Sequence, residues 1–65
     1  MFAKTYFDNA VRCFARWLDL LGSDRRMAYE YYARGRELAE TAARIRGLDE
    51  REVRVSALTR AAKMV

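Results

Sequence analysis

Apolar residues recur at helical spacing through the first third of the chain. Between Phe2 and Leu21 they form two adjacent stripes, which together cover about half of the circumference of a helix at ~100° per residue. Charged residues occupy the other half: Lys4, Asp8, Arg12, Arg16 and Asp19. The pattern predicts an amphipathic helix over about residues 2–21.

A second helix is predicted over about residues 24–46, after a very short connection. Gly22 is expected in the left-handed conformation that ends a helix, and Ser23 is a good N-cap for the next one. Such a short connection folds the second helix back antiparallel on the first. Its exposed side carries glutamate-first ion pairs at i,i+4 spacing: Glu30 with Arg34 and Glu40 with Arg44.

Small residues follow the middle of the buried face of this second helix. Small side chains let a neighbouring backbone approach closely. Gly35 costs about 1 kcal/mol relative to alanine in a helix interior, so its presence favours a close helix crossing over a merely tolerated glycine. The predicted helix-packing groove consists of Ala28, Tyr32, Gly35, Ala39 and Ala42.

A third, short helix is predicted over about residues 50–63, because Gly47 ends the second helix and Asp49 is a suitable N-cap. Its apolar residues are divided between two faces. One face holds Val55, Leu58, Ala62 and Val65, and the other holds Val53, Ala57 and Met64. We therefore expect the third helix to pack only loosely.

The fold class that follows is all-α, with one domain over residues 1–65. The predicted architecture is an antiparallel helical hairpin with a short third helix, which forms either a small three-helix bundle or a hairpin that oligomerises. With 65 residues, the chain buries only roughly 60% of its unfolded surface on folding. Its hydrophobic content of 52% nevertheless excludes a disordered segment.

The composition argues against an enzyme. The chain has no histidine, which is the usual base at neutral pH and the commonest metal ligand. Most carboxylates have a basic residue at helical spacing, and no glycine-rich phosphate loop or CxxC pair occurs. We therefore expect no catalytic residue, no cofactor, no metal site and no small-molecule substrate.

The single cysteine, Cys13, lies on the apolar face of the first helix and is expected to act as a small buried hydrophobic residue. One cysteine forms no intrachain disulfide, which suits a reducing compartment. Charged residues interrupt the apolar residues of the N-terminal stretch, unlike those of a signal peptide or a transmembrane helix. A cytoplasmic location is therefore expected.

The aromatic face of the first helix is the first candidate for a binding surface. One antiparallel neighbour covers only part of an apolar half-circumference, and a loosely packed third helix adds little cover. We expect a second copy of the chain, or a larger protein, to cover the remainder. The candidate interface residues are Phe2, Tyr6, Phe14, Trp17, Leu20 and Leu21.

Two alternatives remain open at this point. The net charge of +4 is compatible with nucleic acid, an anionic membrane surface or an acidic protein. The candidate nucleic-acid-binding residues lie in the C-terminal third: Arg44, Arg46, Arg51, Arg54, Arg60 and Lys63. The second alternative is binding to a membrane surface through the aromatic first helix. Tyr29, beside the expected core residues Tyr31 and Tyr32, would be an exposed aromatic residue.

The segment over residues 48–61, LDEREVRVSALTRA, resembles the C-terminal motif of the YjiS-like family of short arginine-rich bacterial proteins. The matching positions are Leu48, Glu50, Arg51, Val53, Leu58 and Arg60. Val55, Ser56 and Ala57 stand where the family has a characteristic Asp-Ile-Gly. The resemblance implies a small helical regulator or adaptor that contacts RNA through arginines such as Arg51, Arg54 and Arg60.

Overall fold

The computed structural model describes residues 2–65, which form three α-helices joined by short connections. Helix α1 spans Ala3–Leu20, α2 spans Arg25–Arg46 and α3 spans Glu50–Met64. These bounds agree with the predicted ones to within one residue at each end. The all-α fold and the order of its helices are therefore confirmed.

The connection between α1 and α2 differs from the prediction in its capping residues. The N–H groups of Ser23 and Asp24 both donate to the carbonyl of Leu20, at 3.1 and 2.8 Å. Gly22 does not adopt a positive φ. The N-cap is Asp24, not Ser23, because the Asp24 carboxylate accepts a hydrogen bond from the Met27 N–H at 3.1 Å. Ser23 was predicted as the N-cap because it is the first suitable residue after Gly22, but the turn extends one residue further.

The connection between α2 and α3 follows the prediction. Gly47 has a φ of 67°, a left-handed conformation that glycine adopts without steric cost. The Leu48 N–H donates to the carbonyl of Ala43 at 2.9 Å, and the Gly47 N–H donates to that of Arg44 at 3.3 Å, which together form a Schellman motif. Asp49 then caps α3 by accepting hydrogen bonds from two backbone N–H groups, those of Arg51 at 2.8 Å and Glu52 at 3.3 Å.

Alanine dominates the region where the three helices meet. Because the distance between helix axes depends on the side chains at the contact, these small residues let all three helices approach closely. Phe14 is the largest side chain that is fully buried. The alanines exposed by 3% or less at this contact are Ala10 from α1, Ala39, Ala42 and Ala43 from α2, and Ala57 and Ala61 from α3.

The packing groove predicted on α2 lies in this contact region. Ala28, Gly35, Ala39 and Ala42 are buried, and Tyr32 is half-buried against the core. A side-chain carbon added at Gly35 would lie 3.2 Å from Cβ of Cys13 on α1. The close helix crossing predicted at Gly35 is therefore present.

Helix α3 packs against both other helices, and it does so through one of the two apolar faces distinguished in the sequence. Its buried residues are Val53, Ala57 and Ala61, whereas Val55 is exposed. The prediction of loose packing was based on the division of the apolar residues between two faces, but the alanine contact buries one of these faces, the one with Val53 and Ala57. The radius of gyration is 11.2 Å, close to the ~11 Å expected of a compact chain of this length.

Two ion pairs connect α2 to α3, which the i,i+4 spacing of charges along each helix does not predict. The Glu40 carboxylate lies 3.0 Å from Nε of Arg36 and 3.8 Å from Nη1 of Arg54 on α3. Arg44, the predicted partner of Glu40, instead lies 3.9 Å from the carboxylate of Glu50. Glu40 therefore connects α2 to α3.

Candidate docking groove

The interface predicted on α1 does not form one continuous surface. Phe14 is 0% exposed, so it is a core residue and has no surface to offer a partner. Phe2 is 79% exposed and Leu21 is 43% exposed, but they lie at opposite ends of α1, separated by roughly 28 Å of helix. Tyr6 and Leu20 are half-buried.

Two exposed apolar residues, Leu21 and Tyr29, instead lie near the connection between α1 and α2. An open groove with a volume of about 450 Å³ lies there, between the end of α1, the start of α2 and the middle of α3. We call it the turn-end groove. It is lined by Trp17, Leu21, Arg25, Ala28, Tyr29, Tyr32 and Leu58.

Aromatic packing fixes one wall of the turn-end groove. The ring centre of Tyr32 lies 4.9 Å from that of Trp17 and 5.6 Å from that of Phe14, with tilted ring planes. Tilted pairs at these distances are the favourable arrangement for aromatic rings. Tyr32 is thus held between a core residue and a groove residue, so this wall is preformed.

The most exposed part of the groove surface is supplied by Tyr29 and Arg25. Tyr29 is 71% exposed and lines the groove together with Leu21. Among the described residues, 2–65, Arg25 is the only charged residue of the lining, and no carboxylate contributes to it. The groove therefore offers an apolar surface with a single cation.

Trp17 and Leu21 were predicted as interface residues from the sequence, whereas Tyr29, Arg25 and Leu58 were not predicted as parts of the same surface. Tyr29 precedes Tyr32 by three positions, so the two residues lie on neighbouring parts of the α2 surface. This spacing was a signal that could have placed Tyr29 at the groove. No comparable signal exists for Leu58, because its position depends on how α3 crosses the hairpin.

The six candidate nucleic-acid-binding residues do not share one surface. Arg54 lies towards Glu40 of α2, whereas the guanidinium of Arg60 lies 5.8 Å from the ring centre of Phe7 on α1. These two residues therefore flank α3 on opposite sides. Arg44 is near the carboxylate of Glu50, while Arg46, Arg51 and Lys63 are exposed.

The motif that resembles the YjiS-like family includes the start and the buried face of α3. Val53 is buried and Leu58 is half-buried, so these two motif positions contribute to packing. Arg51 and Arg60 are exposed, and Arg54 is partly buried.

Cys13 is half-buried between α1 and α2. Burial raises the pKa of its thiol above the ordinary value of 9.0, and the nearby Arg34 opposes this shift less strongly. A raised pKa reduces the thiolate fraction at neutral pH, and the thiolate is the nucleophilic form. This environment favours a packing role for Cys13.

Two features of residues 2–65 concern metal binding and membrane spans. Nowhere in this range do three histidine, cysteine or carboxylate side chains come together as metal ligands would. None of the helices in the same range has both the length and the apolar character needed to cross a bilayer.

Comparisons with protein-family models, with curated proteins and with solved structures give no match for this chain.

Proposed function

We propose that this chain is a small non-catalytic interaction module that binds an apolar segment of another protein in the turn-end groove. The observation that carries the proposal is the grouping of Leu21 and Tyr29, both strongly exposed, beside the preformed wall of Trp17 and Tyr32. Contiguous exposed apolar surface on a small protein is typical of an interaction site.

The size of the groove suits a segment more than a whole protein surface. Its volume of about 450 Å³ lies within the roughly 300–1,000 Å³ of ligand pockets. One or two large apolar side chains from an amphipathic helix would fill it, which is the helix-in-groove mode of recognition. Burying one such side chain contributes about 1.5–3 kcal/mol.

The charge of the groove favours an acidic partner over a second copy of this chain. Within residues 2–65, Arg25 is the only charged lining residue, and the chain as a whole carries a net charge of +4. A symmetric dimer formed through the groove would place the two copies of Arg25 near one another, because a two-fold interface uses the same patch twice. A partner with a carboxylate beside its apolar anchor would instead pair with Arg25.

Nucleic-acid binding has less support than protein binding. Phosphate recognition requires cations concentrated on one surface, but Arg54 and Arg60 lie on opposite flanks of α3 and Arg54 faces a carboxylate.

The test uses Trp17, the only tryptophan of the chain, as the reporter. Two tryptophan-free amphipathic helical peptides share the same leucine-rich face and differ only in their flanking residues, glutamate in one and lysine in the other. We expect both peptides to shift the Trp17 emission, and the glutamate peptide to bind about two- to fivefold more tightly at low salt. Equal affinities for the two peptides would show that Arg25 does not contribute to binding. Failure of both peptides to bind would refute the proposal.

Matched variants locate the binding surface. Tyr29→Ala should weaken the binding of the glutamate peptide by about ten- to a hundredfold, the equivalent of one large apolar anchor. Val55→Ala shortens another exposed apolar side chain, on α3 outside the groove, and should leave the affinity unchanged. Sedimentation equilibrium of the protein alone tests whether a second copy of the chain occupies the groove. If the protein is a dimer and Tyr29→Ala dissociates it, the occupant is a second copy and not an acidic partner.

A further inference from the structure

A second cavity lies at the opposite end of the bundle from the turn-end groove. Its volume is about 370 Å³, and it is bounded by the start of α1, the end of α2 and the start of α3. We call it the basic cavity. Its lining consists of Ala3, Lys4, Phe7, Ala42, Arg46, Leu48, Val53 and Ser56.

The basic cavity has an apolar floor and a cationic rim. Ala3, Ala42 and Val53 are buried and contribute hydrocarbon to its base. No carboxylate from the part of the chain that the structure describes contributes to the lining. Lys4 donates a hydrogen bond to the Asp8 carboxylate at 2.8 Å, so part of its charge is already compensated. Arg46 forms no ion pair with any carboxylate of residues 2–65.

We propose that the basic cavity binds a single-chain amphipathic carboxylate, such as a medium-chain fatty acid. The apolar floor accepts the hydrocarbon chain, and the guanidinium of Arg46 pairs with the carboxylate, for which its planar donor geometry is suited. The volume of about 370 Å³ lies within the roughly 300–1,000 Å³ of ligand pockets, which suits a short hydrocarbon chain.

Arg46 also occupies the last turn of α2, where a cation interacts favourably with the helix dipole. This second role predicts an effect of Arg46 on stability but none on ligand binding. The proposal is therefore tested by binding, and the fold is checked separately by circular dichroism. It is independent of the proposed protein-binding function, because the two cavities share no lining residue.

The experiment is an NMR titration of the ¹⁵N-labelled protein with three ligands of equal chain length: decanoate, decanol and decyltrimethylammonium, all kept below micelle-forming concentrations. We expect affinity to decrease in that order, with the amide shifts concentrated on Lys4, Phe7 and Ser56. Equal affinities for the three ligands, or shifts concentrated on Trp17 and Tyr29, would overturn the proposal.

Three variants and one vesicle measurement complete the test. Arg46→Gln should weaken decanoate binding about tenfold, the cost expected for losing a charge-assisted hydrogen bond, whereas Arg26→Gln, outside the cavity, should not. Ser56 is exposed, so Ser56→Leu should fill the cavity without unfolding the chain and should abolish binding. If the protein binds vesicles of phosphatidylglycerol but not monomeric decanoate, the ligand is a membrane surface and not a single amphiphile, and the proposal fails.

Discussion

The absent side chain of Gly35 makes room for the ring of Phe14. A side-chain carbon at Gly35 would lie 2.9 Å from Cδ1 and from Cε1 of Phe14, closer than non-bonded carbon atoms approach one another. Phe14 is also the large side chain that the core buries completely. This contact between α1 and α2 therefore determines how closely the two halves of the hairpin pack.

Gly35→Ala should destabilise the protein even though alanine is the better helix former. The substitution gains about 1 kcal/mol of helix propensity, but overpacking a filled core costs about 1–3 kcal/mol. The ring of Phe14 is confined by Tyr32 and the surrounding alanines, so it has little room to move. We expect a net loss of about 1 kcal/mol in the free energy of unfolding, measured by urea denaturation.

The control for Gly35→Ala separates propensity from packing. Phe14→Leu removes Cε1, one of the two ring atoms that the new methyl group would meet, and leaves a shorter side chain with free space to move aside. Adding Gly35→Ala to that variant should therefore restore part of the propensity gain. A stabilisation of the wild-type background by Gly35→Ala would mean that the ring moves freely and that the contact does not limit the helix approach.

Asp24→Ala should destabilise the protein, whereas Ser23→Ala should have little effect. Loss of an N-cap side chain costs about 0.5–2 kcal/mol, and the carboxylate of Asp24 accepts the capping hydrogen bond of α2. Thermal denaturation of the two variants compares them directly. If Ser23→Ala is the more damaging change, the cap lies one residue earlier, as the sequence analysis expected.

Local sequence signals predicted the helices accurately but predicted their contacts less well. The helix bounds depend on residues such as Gly47 and Asp49, whose effect is confined to a few neighbouring positions. The buried face of α3 depends on how Val53, Ala57 and Ala61 fit a surface formed by the other two helices. That fit is a property of the assembled bundle, so the distribution of apolar residues along α3 alone did not identify it.

The candidate site could be predicted only in part, because it too depends on how the helices pack. Trp17 and Leu21 lie on the apolar face of an evident amphipathic helix, and both line the turn-end groove. Phe14 lies on that face as well, but Gly35 lets α2 approach closely enough to bury it. Helical spacing identifies which residues face the interior, and only the three-dimensional packing decides which of them remain accessible.

Glu40→Gln should weaken the attachment of α3 to the hairpin. The Glu40 carboxylate is near Arg36 on its own helix and Arg54 on α3, and its side chain is only 23% exposed. We expect a loss of about 0.5–1 kcal/mol in the free energy of unfolding, since screening by water is reduced there. The loss should shrink in 1 M salt.

The matched control for Glu40→Gln is Asp8→Asn, which breaks the highly exposed pair between Asp8 and Lys4. Exposed pairs contribute little, so this variant should change the stability by less than about 0.5 kcal/mol. Equal effects of the two substitutions would show that Glu40 does not hold α3 in place.

Cys13 should make the stability of the fold decrease at alkaline pH. Burial raises the pKa of its thiol in the folded chain, whereas the unfolded chain ionises near the ordinary value of 9.0. The folded state therefore binds more protons than the unfolded state above that pH, and the free energy of unfolding falls as the pH rises. Below about pH 8 both states carry the neutral thiol, so the full contribution is present.

Urea denaturation at pH 7.5 and pH 10 measures this loss of stability. Cys13→Ala should reduce the loss, because alanine keeps the Cβ near Gly35 and removes the titrating group. An identical decrease in stability for the two proteins would show that the thiol ionises as easily in the fold as in the unfolded chain.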